Sequence, residues 1–179
     1  MAFKTPHKPQ KGRKVEVSII MTSYHEKELE KAVDAILNQW KESYELLIVA
    51  PDKEAKNIAK KVAKKNRQVR WIKDKGLGKS AAINHALPQA RGKILILTDG
   101  DVVLFPHAIH EIIKSFDDKK VGCVSGRVIS ANPRTTMLGY WSHLLADAGA
   151  HQIRMDLAKQ EKFLECTGYL FAFRNGIIS

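Results

Sequence analysis

Four short apolar runs, each followed by a stretch with its own periodicity or a turn, constrain this fold more than any other feature of the chain. Val15-Glu16-Val17-Ser18-Ile19-Ile20-Met21, Glu45-Leu46-Leu47-Ile48-Val49-Ala50, Val69-Arg70-Trp71-Ile72 and Ile94-Leu95-Ile96-Leu97-Thr98 are rich in β-branched and aliphatic residues. Runs of that length and composition read as buried strands. After the first, Leu29, Ala32, Val33, Ile36, Leu37 and Trp40 recur at spacings of three and four while Glu28, Lys31 and Asp34 take the opposite face, which is the pattern of an amphipathic helix. Lys53 to Asn66 repeats it with Ile58, Ala59, Val62 and Ala63 after the break at Pro51-Asp52. Lys79 to Leu87 gives a third helix, stopped near Pro88 and Gly92.

Strands with little polar alternation need cover on both faces, so the alternation predicts an α/β fold: a Rossmann-like, three-layer arrangement around a mostly parallel central sheet. Further along, the pattern predicts a helix from about His107 to Phe116, a strand over Val121 to Ile129 and a mainly helical stretch from Thr135 to Lys162. A final strand over Phe163 to Phe173 follows, with Arg174-Asn175-Gly176 turning into another helix. In open sheets of this kind ligands bind beyond the carboxyl ends of the strands. The polar segments Thr22 to Glu26, Pro51 to Lys53, Lys73 to Lys79 and Asp99 to Asp101 are therefore where a site is expected.

At 179 residues and 44% hydrophobic, the chain suits one globular domain over residues 15–179, preceded by a flexible basic arm over 1–14 that holds Lys4, Lys8, Lys11, Arg13 and Lys14. The formal net charge of +11 favours anionic partners. Outside the arm the cations lie on helix faces, as at Lys60, Lys61, Lys64 and Lys65, with no aromatic platform for bases, which argues against a specific nucleic-acid partner. The arm itself is either solvated or rests on an anionic membrane surface. No apolar run approaches the roughly 20 residues that span a bilayer, and the first residues lack the apolar core of a secretory signal. A cytoplasmic protein, peripheral at the membrane if it meets one, is the expectation. Cys123 and Cys166 lie in apolar segments without a CxxC pair or nearby His ligands and read as buried, free thiols rather than as a disulfide or a metal site.

The chemistry concentrates at two places. Asp99-Gly100-Asp101 sets two carboxylates at the end of an apolar strand; it is either a polar turn or an oxygen ligand set for Mg2+ or Mn2+, cations that complete their shells with water and substrate phosphate. Gly76-Leu77-Gly78-Lys79-Ser80 can offer backbone N–H groups and the Lys79 charge to phosphate, but Lys73 stands where a Walker A loop needs glycine. An EF-hand fails too, since Leu104 and His110 occupy its turn-glycine and terminal-glutamate positions. His107 and His110 lack a third ligand nearby and read as surface histidines rather than a zinc site.

Four segments in order make the pattern specific: Val17 to Glu26, Leu37-Asn38-Gln39, Gly78 to Asn84, and Leu97-Thr98-Asp99-Gly100-Asp101. From about Val15 to its last residue the chain resembles the family 2 glycosyltransferases, which have the GT-A fold of nucleotide-diphospho-sugar transferases. The resemblance implies a UDP- or GDP-sugar donor, a divalent metal and transfer, with inversion, to an acceptor hydroxyl or phosphate. It also implies that Thr22, Tyr24 and Glu26 help enclose the nucleoside, that Lys79 lies near the nucleotide, and that Asp99 with Gly100 and Asp101 addresses ribose and metal-diphosphate, Asp101 and Asp99 being the metal ligands of an Asp-x-Asp motif. Tyr24 has packing as its alternative role, and Glu26 a first-turn helix carboxylate. The segment Thr167 to Arg174 is similar to the family's acceptor-side strand, which assigns Gly168 and Arg174 to that side.

Two departures qualify this. Ala50-Pro51-Asp52-Lys53 replaces the family's usual Asp-Asp-Gly-Ser-like turn, so the base-contacting carboxylate moves to Asp52 or is missing, with Asp74 a second candidate or a solvated surface residue. The family's catalytic acidic residue falls beyond the Gly168 to Arg174 segment, and the sequence ends at Ser179. The expectation is a chain cut short, mainly the donor-binding half, with its base beyond Ser179 unless Asp147 or Glu165 substitutes. A nucleotidyltransferase-like enzyme and a non-catalytic basic polyanion binder are the competing classes.

Overall fold

In a computed structural model, residues 15–39, 41, 43–160, 162 and 166–177 are described. The basic arm, Trp40, Glu165 and the start of the expected final strand at Phe163 lie outside them.

The first four expected strands form as β1 (Val17–Thr22), β2 (Tyr44–Ala50), β3 (Val69–Lys73) and β4 (Ile94–Asp99). Around them lie α1 (Leu29–Leu37), α2 (Lys53–Ala63), α3 (Lys79–Ala86), which runs into a 3-10 turn (Leu87–Gln89), and α4 (Ala108–Ser115). The chain continues through β5 (Cys123–Ser125), α5 (Met137–Leu144), a π-helical stretch (Leu145–Gln152), α6 (Ile153–Lys159) and β6 (Leu170–Arg174). The sheet order is β3-β2-β1-β4-β6-β5. β1 pairs in parallel with both β2 and β4, and β2 with β3, while β6 lies antiparallel between β4 and β5.

Every residue of β1 and β2 is buried, as uninterrupted apolar runs require. Successive side chains point to opposite faces. Ile19, Met21, Leu46 and Ile48 pack with Leu29, Val33 and Ile36 of α1, Ala55 and Ala59 of α2, and Ile109 and Ile112 of α4. Ile20, Leu47, Val49, Leu95 and Leu97 meet Ala82 and Ala86 of α3 on the other face. Three layers result, with α3 alone among the first four helices on its side.

One polar cluster interrupts the α3 face near the amino ends of the strands. Glu45 is fully buried there and accepts hydrogen bonds from Ser18 Oγ (2.6 Å), Arg91 N (2.7 Å) and the Arg91 side chain (2.6 and 2.8 Å), with Arg70 at 3.2 Å. Burial pushes its carboxyl up, but the Ser18 and Arg91 hydrogen bonds and the Arg70 charge outweigh this and hold it below the ordinary carboxylate range. The cluster clamps β1, β2 and β3 to the turn before β4.

Two sequence expectations need correction. The Val121 to Ile129 strand shrinks to three residues, because β5 pairs only along Cys123 to Ser125 with β6 and the chain then leaves the sheet. The cysteines are not buried thiols inside strands: Cys123 is exposed on β5, Cys166 is half-buried before β6, and the two sulfurs meet.

Candidate functional site

β1 is the strand from which the sheet runs both ways, to β2 on one side and β4 on the other. Crevices form beyond the carboxyl ends of strands at such a switch point. The register there pairs Thr22 with Asp99, so the last residues of β1 and β4 arrive side by side. Thr22 Oγ1 donates to Asp99 Oδ1 at 2.9 Å. Lys79 Nζ, at the first residue of α3, donates to Asp99 Oδ2 at 2.7 Å and also to the Gly168 carbonyl. Gly78 precedes it with φ +97, a conformation that L side chains rarely adopt, and this turn aims the first residue of α3 at the crevice.

Gly100 is required for a steric reason. Its N–H donates to the Thr22 carbonyl at 2.8 Å, and a Cβ built on it would lie 2.9 Å from Ser23 Cβ and Oγ. The turn therefore passes so close to β1 that only glycine fits, and Asp101 emerges exposed on its far side. Ser23 Oγ is buried beside this turn and has no hydrogen-bond partner.

Glu26 completes an acidic edge. Burial first, and then the charges of Asp101 and Asp99, push its carboxyl up from the ordinary value. Asp99 and Asp101, with Glu26 beside them, offer carboxylate oxygens of the kind a hard divalent cation such as Mg2+ or Mn2+ takes. Because Thr22 and Lys79 already occupy both oxygens of Asp99, Asp101 is the carboxylate with the freer approach.

Tyr24 is 66% exposed and meets the His25 ring edge-on at 4.8 Å, so packing does not account for it. His25 has a left-handed backbone, φ 55, and its N–H reaches Asp52 Oδ2 at 3.4 Å. Asp52 also caps α2 through Ala55 N at 2.8 Å, so both its oxygens hold backbone. His25, Asp52 and Glu54 bring one ligand atom each within 4.8 Å of one another. Asp52, through these two backbone bonds, clasps the Tyr24 loop to α2. Asp74 is buried, not solvated, and its carboxylate organises its own loop through Lys75 N (2.6 Å) and Gly76 N (3.0 Å).

Thr22, Lys79, Asp99, Gly100 and Gly168 are thus in one contact network, with Glu26 and Asp101 at its edge and Tyr24 on the adjoining loop. Arg174 is not brought to it. At the other end of β6, opposite Ile94, it donates to the carbonyls of Phe116 (2.8 Å), Asp118 (3.0 Å) and Val121 (2.9 Å) and lies over the Phe116 ring. Six residues of extended chain separate Gly168 from Arg174, roughly 20 Å, so the two cannot serve one end of the sheet. Sequence reasoning took in the segments that hold Ser23, His25 and Tyr169 but gave none of the three a role of its own. The first two sit in the polar run after β1, where a left-handed residue has no sequence mark unless it is glycine or asparagine.

Tyr169 lines two adjoining cavities. One, of about 750 Å³, extends from Asp101 past Phe105, Glu111 and Ile129; the other, of about 500 Å³, runs under the π-helical stretch past Arg127, His151 and Arg154. Together they form a cleft that opens at the exposed carboxylate.

Comparison with known structures identifies the architecture as the GT-A fold. A mannosyltransferase from Pyrobaculum calidifontis, in complex with GDP-Man and Mn2+, superposes with a TM-score of 0.63 at 23% identity, covering 93% of this chain and 46% of that one. Glucosyl-3-phosphoglycerate synthase from Mycobacterium tuberculosis, in complex with Mn2+, UDP and its product, gives 0.60 at 15% identity, covering 90% and 57%. Among curated proteins, an uncharacterized glycosyltransferase of Methanocaldococcus jannaschii is 29% identical over 110 residues, 58% of this chain and 38% of that protein. The hyaluronan synthase of Streptococcus pyogenes is 26% identical over 101 residues, 56% of this chain and 24% of the synthase. The chain therefore spans well under half the length of these curated relatives. Residues 18–179 match the family model described as glycosyl transferase family 2, and the chain belongs to that family.

Proposed function

We propose that this chain binds a nucleotide-diphosphate sugar, of the UDP or GDP type, and forms the donor side of a metal-assisted, inverting glycosyltransferase. The observation that carries the proposal is the Thr22–Asp99–Lys79 network at the switch point, with exposed Asp101 one turn beyond it. Family membership supports it, as do the sugar nucleotide and Mn2+ in the related mannosyltransferase.

Each residue has a job that its position allows. Tyr24, exposed on a loop clasped by Asp52, offers a face for the base. Asp99, held by Thr22, accepts from ribose hydroxyls. Asp101, with Asp99, holds the cation. A bound Mg2+ or Mn2+ supplies charge neutralisation for the departing diphosphate. Lys79 has an ammonium on a flexible stem, free to turn from Asp99 to the phosphates and add a point charge there. Ser23 Oγ, buried without a partner, is placed to donate into the same crevice.

The acceptor belongs in the cleft between Asp101 and Tyr169, where an already ionised phosphate oxygen can attack the anomeric carbon directly, whereas a hydroxyl must lose its proton to a base. Asp147 does not suit that role. The hydrogen bond from Arg127 at 3.0 Å, with the Arg134 charge, holds its carboxyl below the usual range. Glu165, the other carboxylate considered for the base, lies outside the described residues. Titration calorimetry with UDP, GDP and their sugars, with and without Mn2+, tests the reading. Saturable binding of one base, strengthened by Mn2+, is expected; binding indifferent to both base and metal overturns it.

A further inference from the structure

The two cysteines lie 43 positions apart in sequence, yet their sulfurs are 2.6 Å apart. The backbone enforces this approach. Antiparallel pairing sets Cys123 opposite Phe173 and Ser125 opposite Phe171, so the chain entering β6 must double back over β5. Ser125 Oγ accepts from Thr167 N at 2.9 Å, and Gly126 N donates to the Leu170 carbonyl at 2.8 Å. Cys166 is thereby held against Cys123 from its C-terminal side, and a small side-chain rotation brings the sulfurs to the roughly 2 Å of an S–S bond. Cys123 is exposed, so a small oxidant can reach the pair.

We propose that Cys123 and Cys166 form a reversible disulfide, made by exchange with a low-molecular-weight disulfide of the glutathione class, and that it ties residues 166–169 to β5. What it ties matters, because Gly168 in that segment supplies the carbonyl that holds Lys79, and Tyr169 lines both cavities. The proposal needs nothing from the sugar-transfer reading.

The order of steps follows from the two thiols. Partial desolvation, then the hydrogen bond with Cys166, pushes Cys123 up to about 12, so it keeps its proton at neutral pH. With Cys123 holding its proton, Cys166 makes the first attack on one sulfur of the oxidant, forming a mixed disulfide and expelling one small thiol. That step removes the Cys166 contributions that held the Cys123 proton. Cys123 then releases its proton to water and attacks the Cys166 sulfur, expelling the second small thiol. Two protein thiols and one external disulfide become one protein disulfide and two small thiols, so electrons and protons balance. Disulfides of this transient kind fit a reducing compartment, where they act as redox sensors.

The test is thiol titration under denaturing conditions together with intact mass, after the 179-residue chain has been incubated folded with oxidised glutathione. The expected result is loss of both titratable thiols, a mass lower by two hydrogens, no retained adduct, and full reversal by dithiothreitol. Cys123→Ser and Cys166→Ser should each instead accumulate one glutathione adduct, because each leaves a single thiol with no partner to resolve the mixed disulfide. Wild type that keeps both thiols at oxidant ratios where Cys123→Ser is fully modified, or that accumulates two adducts, overturns the proposal.

Discussion

At the scale of single residues the site divides carboxylates by what already holds them. Asp52 and Asp74 spend their oxygens on backbone N–H groups, and Asp99 is shared by Thr22 and Lys79. Asp101 is exposed at the turn, so it is the one whose loss should be felt in binding but not in folding. Asp101→Ala should weaken Mn2+-dependent binding of a nucleoside diphosphate at least about tenfold, equivalent to about 1.4 kcal/mol, with the apo melting temperature within about 1 °C of wild type. Calorimetry and a thermal melt check both halves, and undiminished Mn2+-dependent affinity refutes the ligand assignment. Arg174 makes the opposite claim. Its guanidinium closes three carbonyls around the end of α4, so Arg174→Ala should cost about 2 kcal/mol and lower the melting temperature by roughly 4–8 °C. Nucleotide affinity should not change. An acceptor-side role would give the reverse, intact stability and altered transfer.

At the scale of elements, the parallel half of the sheet was legible in the sequence because burial on both faces leaves a direct compositional trace. The antiparallel half was not. β6 enters between β4 and β5, so its direction depends on pairing across more than 70 residues of sequence, which no local pattern encodes. The same gap misplaced Arg174 and hid the meeting of Cys123 with Cys166. Asp99, Gly100, Asp101 and Lys79 were legible as a group because each stands at the end of an element whose boundary is marked by composition. Glu45 was read only as the start of an apolar run, yet it is the buried anion that joins three strands to the turn before β4. Its folded pKa lies below the ordinary value of 4.5, so its stabilisation is fully present above that pH and is lost as pH falls through the folded value. Glu45→Gln should therefore cost about 2–3 kcal/mol at neutral pH, the lower end for breaking a buried pair because Arg70 and Arg91 are each 37% exposed. The gap between wild type and variant should narrow below pH 4.5 in urea melts. A gap that stays constant into strong acid contradicts the assignment.

At the scale of the whole molecule, a formed crevice and a diffuse charge of +11 compete for the same anionic ligands. Their physics separates them. Exposed cations such as Lys60, Lys64 and Lys65 act through solvent, where the Debye length at physiological ionic strength is about 8 Å, so their attraction fades with salt and ignores base and metal. A divalent cation that Asp101 would hold against a diphosphate would act at short range in the crevice and be screened far less. No helix among the described residues is long and apolar enough to cross a membrane; contact with an anionic membrane surface is a separate matter of charge. The five cations of residues 1–14 are the segment best composed for that, at about 1 kcal/mol each near an anionic bilayer. We therefore expect two separable activities. Binding of a nucleoside diphosphate with Mn2+ should persist at physiological salt, disappear on chelation, and be indifferent to removal of residues 1–14. Sedimentation with vesicles containing phosphatidylserine should fall steeply between low and physiological salt, ignore chelation, and drop several-fold when that segment is deleted. If salt abolishes nucleotide binding while chelation and Asp101→Ala leave it intact, the crevice is not the nucleotide site and the chain is a general polyanion binder on a glycosyltransferase fold.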